Sequence, residues 1–547
     1  MTTKPQAASK GAAVSDSTWA PLRVPIFRAL FFAQLGSNIG NWMETVAAQW
    51  LLVDHSHAST LVALVQTADM LPFMFLALPA GVLADIFDRR RYLIYVHLFL
   101  TATSGLLAAA TFAGIMRPAL LLTLTFLEGA GSALATPAWA TIIPELVPRT
   151  NLPAAIALGG INQNVARAIG PAIAGVLVSR LGPGIVFAIN TVTFLFGIAV
   201  MLLWRRPEPS AGDLAPEPAV AALRAGTRYV RHSPTFRRLL LRLILFVVPA
   251  ASLWALLPVV ASQLLDLGPS GYGLLLGSLG VGAIAGALLL PRARDACTQS
   301  SLIIGASTLY AAALAIAALA PHAALVMLAL VGAGGAWLTI LVQLNSTVQL
   351  FLPNWVRARG LAVSQLAFMG GQAIAAAFWG VVAQHAGIPV ALVSAATLLL
   401  VGAVTILWWP MPDVAGLDRS PVVSPLPELL LDPEPLGGPV IVTVRYTVAD
   451  DNVGDFIRAM DAVGRVRRRT GAVAWDLFRD GADPKRFVEL FTVPSWDEHL
   501  RQHGGRLTGA DRAIVERARA FAEAAPETEH LLPAETPAVE KAQRGSS

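Results

Sequence analysis

Four charged side chains lie deep inside long apolar stretches of the sequence, and their types suggest proton chemistry. Glu44, Asp69, Glu128 and Arg167 each fall within such a stretch. A charge near the centre of a bilayer costs at least about 2.5 kcal/mol unless it is paired or hydrated, so such residues usually have a function. A carboxyl group that binds a proton on one side of a membrane and releases it on the other can couple transport to protons. The four residues are therefore candidates for proton coupling, with a purely structural Glu128–Arg167 ion pair as the alternative interpretation.

Amide side chains accompany these charges at helical spacing. Gln34, Asn38 and Asn41 fall at i, i+4 and i+7, which places them on one face of a helix. Hydrogen bonding between helices is an equally open interpretation of each amide. Seven amides are candidates for lining a substrate cavity: Gln34, Asn38, Asn41, Gln343, Asn345, Gln365 and Gln372. Three tryptophans are candidates for its aromatic walls: Trp42, Trp337 and Trp379.

Metal, nucleotide and catalytic sites are not expected. His499 and His503 lie four residues apart on a predicted helix, a spacing that metal ligands use, but the sequence indicates no further ligand and no H-E-x-x-H motif. A Walker A loop needs Gly-Lys-Ser/Thr, and lysine is absent between Lys10 and Lys485. We therefore expect no metal, no cofactor, no catalytic residues and no ATPase site in this chain.

The elements that must hold these residues are membrane helices. Of the 547 residues, 55% are hydrophobic and 14% are charged, whereas soluble domains carry about 25% charged residues. A spanning helix needs about 20 apolar residues. Twelve stretches qualify: 27–53, 60–86, 92–114, 118–143, 153–180, 184–204, 238–264, 271–290, 301–319, 322–350, 358–384 and 389–409. The predicted fold class is an all-α membrane protein with twelve transmembrane helices in two six-helix halves.

Basic residues alternate from link to link and so predict the orientation of the helices. The link after the second span holds Arg89–Arg91, the link after the sixth holds seven arginines between 205 and 238, and the opposite links hold few. Positively charged residues stay on the cytoplasmic side. Both termini are therefore predicted to be cytoplasmic. The net charge of +5 reflects this orientation, and no binding of nucleic acid is expected.

The link between the second and third spans reads GVLADIFDRRR at residues 81–91. It resembles the G-x-L-A-D-R-x-G-R-R/K loop of the major facilitator superfamily, with departures at positions 86 and 88. The resemblance implies a gating motif of Gly81, Asp85, Asp88, Arg89 and Arg90. The glycine would allow a close helix crossing. The acid and the arginines would hold neighbouring helix ends together, including the N-terminus of another helix.

A second motif lies in the fifth span, where Gly170, Pro171 and Gly175 resemble the G-P-x-x-x-G part of the superfamily's antiporter motif. Proline bends a helix by removing a backbone hydrogen bond, and an ordinary kinked helix is the alternative interpretation. With residues 144–149 and 162–167, the string resembles the bacterial branch that includes the enterobactin exporter and related secretion transporters. That resemblance implies proton-coupled efflux of small molecules (drugs, siderophores or secreted metabolites) across the bacterial inner membrane by alternating access.

The last 110 residues differ in character from the rest of the chain. Alternating and amphipathic patterns predict the order βαββαβ, which is that of a ferredoxin-like fold. Residues 487–503 resemble the antibiotic-biosynthesis-monooxygenase type of domain, which implies a possible homodimer through this region. A second hypothesis for the whole chain is thus a membrane-tethered enzyme or sensor in which this module is the active part.

These patterns divide the chain into seven segments. The predicted segments are a disordered tail at 1–20, six-helix halves at 21–204 and 238–410 around a cytoplasmic link at 205–237, a proline-rich linker at 411–438, a soluble domain at 439–533 and a disordered tail at 534–547. Within the link, residues 218–232 have the pattern of a short amphipathic helix. It would lie on the inner membrane face or belong to a plain linker.

Overall fold

The computed structural model describes residues 19–204, 219–414, 416–423, 425, 427 and 429–536. Most of the two predicted tails and residues 205–218 of the predicted link lie outside this part of the chain. The described residues group into two compact units. The first contains 19–204, 245–340 and 368–406, and the second contains 219–244, 341–367 and 407–536. The predicted segment boundaries stay a prediction.

Twelve long α-helices and one short α-helix precede the C-terminal module in the described residues. The short one, α7, confirms the amphipathic helix predicted near 218–232. The helices are α1 Pro25–Trp50, α2 Ala58–Ile86, α3 Arg89–Phe112, α4 Pro118–Leu146, α5 Leu152–Leu181, α6 Pro183–Leu203, α7 Ala219–His232, α8 Pro234–Val259, α9 Pro269–Ala296, α10 Gln299–Leu319, α11 Ala323–Phe351, α12 Asn354–Ala386 and α13 Ile388–Trp408. Each long helix coincides with one predicted span to within a few residues.

Proline and glycine set several helix ends. Pro25, Pro118 and Pro183 occupy the first turn of their helices, where the N–H that proline lacks would have no partner inside the helix. Gly182 alone separates α5 from α6, with a φ of 83°, a conformation that only glycine adopts without strain. The chain can therefore reverse direction between two long helices in a single residue.

Ten of these helices, within the described residues, are long and apolar enough to cross a membrane. The two long helices that fall short are α1 and α5. Both carry polar residues in their interior, including Asn41 and Glu44 in α1 and Arg167 in α5. Two of the four charged candidates thus lie on the helices that fall short, whereas Asp69 and Glu128 lie on α2 and α4, which qualify. That all twelve helices span a membrane remains a prediction.

In the first unit, α1 packs against α5 and α6, α2 against α4, α3 against α6, and α5 against α9. The last of these pairs depends on glycine. A Cβ at Gly175 would lie 2.7 Å from the carbonyl oxygen of Pro269, and a Cβ at Gly273 would lie 2.7 Å from that of Pro171. Small residues let membrane helices approach closely enough for their backbones to touch. The helix-5 motif therefore serves close packing on α9.

The C-terminal module in the second unit is built on a four-stranded antiparallel sheet of order β3-β4-β2-β6. Its strands and helices follow the predicted βαββαβ order. They are β2 Val440–Thr447, α14 Val453–Thr470, β3 Ala474–Arg479, β4 Arg486–Val493, α15 Trp496–His503, α16 Gly509–Arg519 and β6 Glu527–Leu531. One pairing was not predicted: β1 (Pro421–Val423), from the proline-rich linker, pairs with β5 (Gly504–Thr508).

Alternation along β2 explains the core of this module. Val442, Val444 and Tyr446 point to one face of the sheet and are buried, as the two-residue period of a strand requires. Phe456 and Met460 of α14 cover that face and are fully buried. Burying a side chain of this size contributes about 1.5–3 kcal/mol relative to exposing it. The module therefore has a hydrophobic core of its own.

Helix α7 packs against this module. Glu498 of α15 accepts hydrogen bonds from Arg228 of α7 at 2.5 Å and from Arg506 at 2.6 Å. The ring of Tyr229 in α7 also lies edge-on to Trp355, with the centroids 5.9 Å apart. Within the second unit, the helix from the predicted cytoplasmic link is thus held by ion pairs and aromatic contacts to the C-terminal module and the start of α12.

Candidate functional site

An internal cavity of about 290 Å³ lies in the first unit. Helices from both halves of the sequence line it, and the four charged residues that the sequence singles out all face it. The residues relevant to its chemistry are Asn41, Trp42, Glu44, Gln66, Asp69, Glu128, Arg167, Trp254, Trp337, Phe368 and Gln372. This volume is close to the lower end of the range for pockets that hold small molecules.

Glu44 of α1 is the acid of the cavity that has hydrogen-bond partners. Its Oε2 accepts hydrogen bonds from the Ser104 hydroxyl at 3.0 Å and from the Asn190 amide at 2.5 Å. These donors belong to α3 and α6, so the carboxyl group joins three helices. A buried carboxylate with two donors on one oxygen is partly compensated for its loss of hydration. Glu44 therefore combines a position in the cavity with a structural role.

Glu128 of α4 differs because one of its oxygens has no partner. The residue is only 7% exposed, and its Oε1 has no hydrogen-bond partner within the described residues. Asp69 of α2 faces the same cavity and has no ion-pair partner in the described part of the chain. A buried carboxyl group without hydrogen-bond donors is costly to ionise. Taking up a proton therefore removes an unfavourable charge from the cavity.

Arg167 of α5 does not pair with Glu128, so that alternative interpretation is wrong for this structure. No ion pair joins them among the described residues. The guanidinium instead lies over the ring of Trp42, 5.6 Å from its centroid, at cation–π distance. Close packing of α5 on α1 explains this partner, because a Cβ at Gly170 would come within 2.7 Å of the Trp42 Cβ.

A series of aromatic rings also lines the cavity. Trp42 lies 5.9 Å from Trp254, Trp254 lies 5.6 Å from Trp337, and Trp337 lies 6.1 Å from Phe368, measured between ring centroids. Trp42 and Trp337 line the cavity, as the prediction of aromatic walls requires. Trp379 is buried and donates its indole N–H to the Val248 carbonyl instead. Trp254 was missed, because nothing in its local sequence separates it from an interfacial tryptophan.

The amide candidates divide into three groups. Asn41 and Gln372 line the cavity, and the Gln66 amide donates to Gln372 at 3.1 Å. Gln34 and Asn38 line, together with Asn41, a second cavity of about 360 Å³ in the same unit. Gln343, Asn345 and Gln365 belong to the second unit and line neither cavity, the first being buried and the other two exposed.

Hydrogen bonding between helices, the alternative for these amides, also occurs. The Asn38 amide donates to Asn162 Oδ1 at 2.8 Å, and the Asn162 amide donates to the Phe31 carbonyl at 3.0 Å. These bonds join α1 to α5. Asn38 therefore lines a cavity and also holds the two polar helices together.

In the predicted gating motif, one expectation needs correction. Gly81 is not at a close helix crossing, because a Cβ there would meet no described atom within 4 Å. Asp88 is the N-cap of α3, where its Oδ1 accepts from the Arg91 backbone N–H at 2.9 Å. This bond satisfies an N–H that the helix itself leaves unpaired. The side chain of Asp85, in the last turn of α2, lies outside the described part of the chain.

The two arginines of the motif each join α3 to another helix. Arg89 forms an ion pair with Glu145 near the end of α4, with Nη1 and Oε1 2.5 Å apart. Arg90 donates to the carbonyls of Met201 and Leu202 at 2.7 and 2.9 Å. It thus caps the C-terminal end of α6, where carbonyls lack partners and the helix dipole favours a cation. The sequence did not single out Glu145 as the partner.

Comparison of the sequence with known proteins identifies the family of this chain. A family model described as "transmembrane secretion effector" matches residues 16–538. The staphyloferrin A transporter of Staphylococcus aureus is 23% identical over 257 residues, which cover 46% of this chain. The match spans 64% of that relative, less than two thirds of its length. The multidrug efflux pump Tap of Mycolicibacterium fortuitum is 26% identical over 422 residues, covering 74% of this chain and 93% of the relative.

Among solved structures, one similar chain is the bacterial homologue of the human lysosomal transporter Spinster, in an inward-facing and unoccupied conformation. The TM-score is 0.58, and the alignment covers 70% of this chain and 96% of that one. The two sequences are 15% identical, so this likeness concerns the fold of the helical part and nothing more.

Proposed function

Because the chain belongs to the transmembrane secretion effector family, we propose that it is a secondary active transporter that exports small molecules in exchange for protons. The observation that carries this proposal is the cavity of the first unit, which Asp69 and Glu128 line together with a series of aromatic rings. Two relatives, described as the staphyloferrin A transporter and the multidrug efflux pump Tap, support transport and, for the second, efflux.

The arrangement of charges supports proton coupling. Glu128 is buried with an unpartnered oxygen, and Asp69 has no ion-pair partner in the described residues. Each carboxyl group therefore gains more than a hydrated one would from taking up a proton. In an exchange mechanism, substrate and proton compete for such a group, and the opening of the cavity to alternate sides releases them in opposite directions. Arg167 would contribute to the electric field in which this occurs, and Glu44 would hold α1, α3 and α6 together around the cavity.

The composition of the cavity favours cationic or amphipathic aromatic substrates. Trp254, Trp337 and Phe368 present ring faces, which attract organic cations by about 0.5–2 kcal/mol each. Three acids against one arginine leave the lining net negative when the acids are ionised. A cation would thus find both an aromatic surface and a counter-charge.

Transport by the purified protein in liposomes tests this function. An imposed pH gradient should drive accumulation of a fluorescent aromatic cation such as ethidium, and an aromatic anion of similar size should accumulate less. Proton flux should rise when the cation is added. Absence of gradient-driven flux for a chemically broad panel of cations, anions and neutral compounds would remove the proposal.

We propose that all twelve long helices span the bacterial inner membrane, with both termini in the cytoplasm. The distribution of arginine supports this orientation. Cys297 is the single cysteine and is exposed after the end of α9, beside Arg292 and Arg294. A membrane-impermeant thiol reagent should label it in inverted vesicles and not in intact cells. In a C297S background, H57C should show the reverse pattern. Labelling of Cys297 in intact cells would contradict the orientation.

We propose that the 81–91 link gates the cytoplasmic side. The Arg89–Glu145 ion pair and the capping of α6 by Arg90 support it, because they tie three helix ends together. The substitution D85N should impair transport while the protein still inserts into the membrane. D88N, which removes a negative charge three residues later while its amide oxygen can still cap α3, is the comparison. Transport by D85N at the wild-type rate would remove the gating role of this residue.

We propose that the C-terminal module has a ferredoxin-like fold of the monooxygenase-like type and can pair with a second copy. The order β3-β4-β2-β6 supports the fold. Mass measurement of the full-length protein in detergent tests the dimer, and a strict monomer at all concentrations would contradict it. The hypothesis that this module makes the chain a membrane-tethered enzyme or sensor is not favoured by the relatives, which are described as transporters.

A further inference from the structure

Three histidines of the C-terminal module meet at one point. His499 and His503 lie on α15, and His530 lies on β6. One ring nitrogen from each can be chosen so that all three lie within 4.8 Å of one another. The sequence predicted no metal site because His530 is 27 residues away from His503, and only the pairing of β6 with β2 brings it to α15.

His499 is the central ring of this cluster, and it lacks a hydrogen bond. It is 2% exposed, and neither Nδ1 nor Nε2 has a partner of hydrogen-bond geometry within the described residues. The neighbouring Gln502 amide donates to the Thr470 hydroxyl at 3.4 Å instead. An imidazole N–H that is buried without an acceptor has lost its hydrogen bond to water and gained none in return, which destabilises the folded state. Such a group calls for an explanation, and a bound ion supplies one.

The second ring, His503, is oriented as metal ligands usually are. Its Nδ1 lies 2.9 Å from the Pro425 carbonyl, and since a carbonyl only accepts, Nδ1 carries the hydrogen. The lone pair is then on Nε2. A ligating histidine commonly donates its other N–H to a backbone carbonyl in this way, which fixes the tautomer and the ring plane.

The surroundings favour the neutral form of the three rings. Burial, followed by the neighbouring imidazoles, lowers the pKa of His499 to about 3. Burial also lowers the pKa of His503 and of His530. Neutral imidazole is the form that binds metal. The nearby charge of Arg467 is offset by its ion pair with Glu489, whose Oε1 is 3.0 Å from Nε.

We propose that His499, His503 and His530 bind a divalent transition-metal ion of the kind that prefers imidazole, with zinc as the reference ion. Zn–N bonds of 2.0–2.1 Å require ligand nitrogens about 3.3 Å apart in a tetrahedron. The rings would close by roughly 1 Å or less each, through side-chain rotation. Three protein ligands leave a fourth position open, and the rings border a cavity of about 440 Å³ in the module. The site is thus of the open type, which holds water or an exogenous ligand.

Two alternatives are outcomes of the test. One is that the rings only pack as an aromatic cluster, with centroids 4.8 Å apart for His499 and His503 and 5.0 Å for His499 and His530. The other is that metal binds to exposed histidines such as His55 and His57. The protein offers a matched control for the second, since H57Q removes an exposed histidine outside the cluster.

Full-length protein, purified in detergent without a polyhistidine tag and stripped with EDTA, is titrated with Co²⁺ and Zn²⁺. We expect one ion per chain, a Co²⁺ spectrum of four-coordinate intensity, and its displacement by Zn²⁺. H530Q and H503Q should each weaken binding by at least about tenfold, and H57Q should leave it unchanged. Equal binding by wild type and H530Q, or loss of binding in H57Q, would overturn the site.

A second measurement keeps the test decisive if a histidine variant misfolds. Hydrogen exchange of the wild-type protein should slow at residues 496–503 and 527–531 when Zn²⁺ is added, because the ion would join α15 to β6. Exchange in α16, which supplies no ligand, should change less. The same exchange with and without Zn²⁺ in both ligand-bearing segments would refute the proposal. This outcome does not depend on transport.

Discussion

Two buried glutamates, one in each unit, show how differently the molecule treats the same side chain. Glu489 in β4 is fully buried and accepts hydrogen bonds from Tyr446, Trp475 and Arg467, all at about 3 Å. Glu128 in α4 is 7% exposed, borders an internal cavity, and has an oxygen without a described partner. The first carboxylate is saturated with donors and the second is not.

The difference separates a structural charge from one that can change state. A saturated buried carboxylate stays ionised, because its partners replace the water it has lost. An unsaturated one in a cavity responds to whatever enters, whether a proton, a water molecule or a cation. Burial alone therefore does not identify a functional acid. The number of fixed hydrogen-bond donors around each carboxyl oxygen identifies it better. Several substitutions can test this comparison.

The largest effect is expected from E489Q. The amide cannot balance the Arg467 guanidinium, which is left nearly buried without its counter-charge. Removing one partner of a buried pair costs about 3–5 kcal/mol. Hydrogen exchange of β2 and β4 amides in the full-length protein measures this as a lower free energy of opening.

The control for E489Q is E529Q. Glu529 also pairs with an arginine of the sheet, Arg445, at 2.5 Å, but its side chain is 49% exposed. Exposed pairs contribute about 0–1 kcal/mol. If the two variants lost the same free energy of opening, donor saturation of Glu489 would not be what stabilises the module.

Glu489 should also make the stability of the module depend on pH, in a direction that its pKa determines. Burial alone would raise the pKa of Glu489, but the Arg467 charge and the hydrogen bonds outweigh it and hold the pKa below its ordinary value of 4.5. A lowered folded-state pKa gives stability that is present above 4.5 and is lost as the pH falls below it. The wild-type module should therefore lose stability in that acidic range, and E489Q should lack this component. If the free energy of unfolding fell with pH equally in the wild type and in E489Q, Glu489 would not be the source of this pH dependence.

For Glu128 the expected effect is on transport rather than on folding. E128Q keeps the size of the side chain and removes its ability to exchange a proton. We expect gradient-driven flux to fall by at least about tenfold, equivalent to about 1.4 kcal/mol, with an unchanged melting temperature. D69N should act in the same direction. If E128Q and D69N both transported at the wild-type rate under a pH gradient, these two acids would not couple transport to protons.

The sequence was sufficient for what is encoded locally. Apolar runs predicted the twelve long helices, and the alternation around Val442 predicted the strand that forms the core of the module. The partners of the charged residues were not predictable, because they depend on how distant elements dock. A Glu128–Arg167 ion pair was the alternative interpretation, but the glycine contact of α5 with α1 brings Arg167 to Trp42. For the same reason Glu145, Trp254 and His530 were missed, and only the spacing of His499 and His503 gave a partial signal.

Glu44 offers the sharpest test of the comparison, with the smallest expected effect. It lines the same cavity as Glu128, yet Ser104 and Asn190 both donate to its Oε2. If fixed donors mark a structural carboxylate, E44Q should be tolerated, because the amide oxygen of glutamine still accepts both hydrogen bonds. We expect gradient-driven flux within about threefold of wild type, less than about 0.7 kcal/mol. E44A, which removes the acceptor from α3 and α6, should instead lower the melting temperature. A flux loss in E44Q as large as that in E128Q would show that position in the cavity, and not the number of donors, determines which acid couples transport to protons.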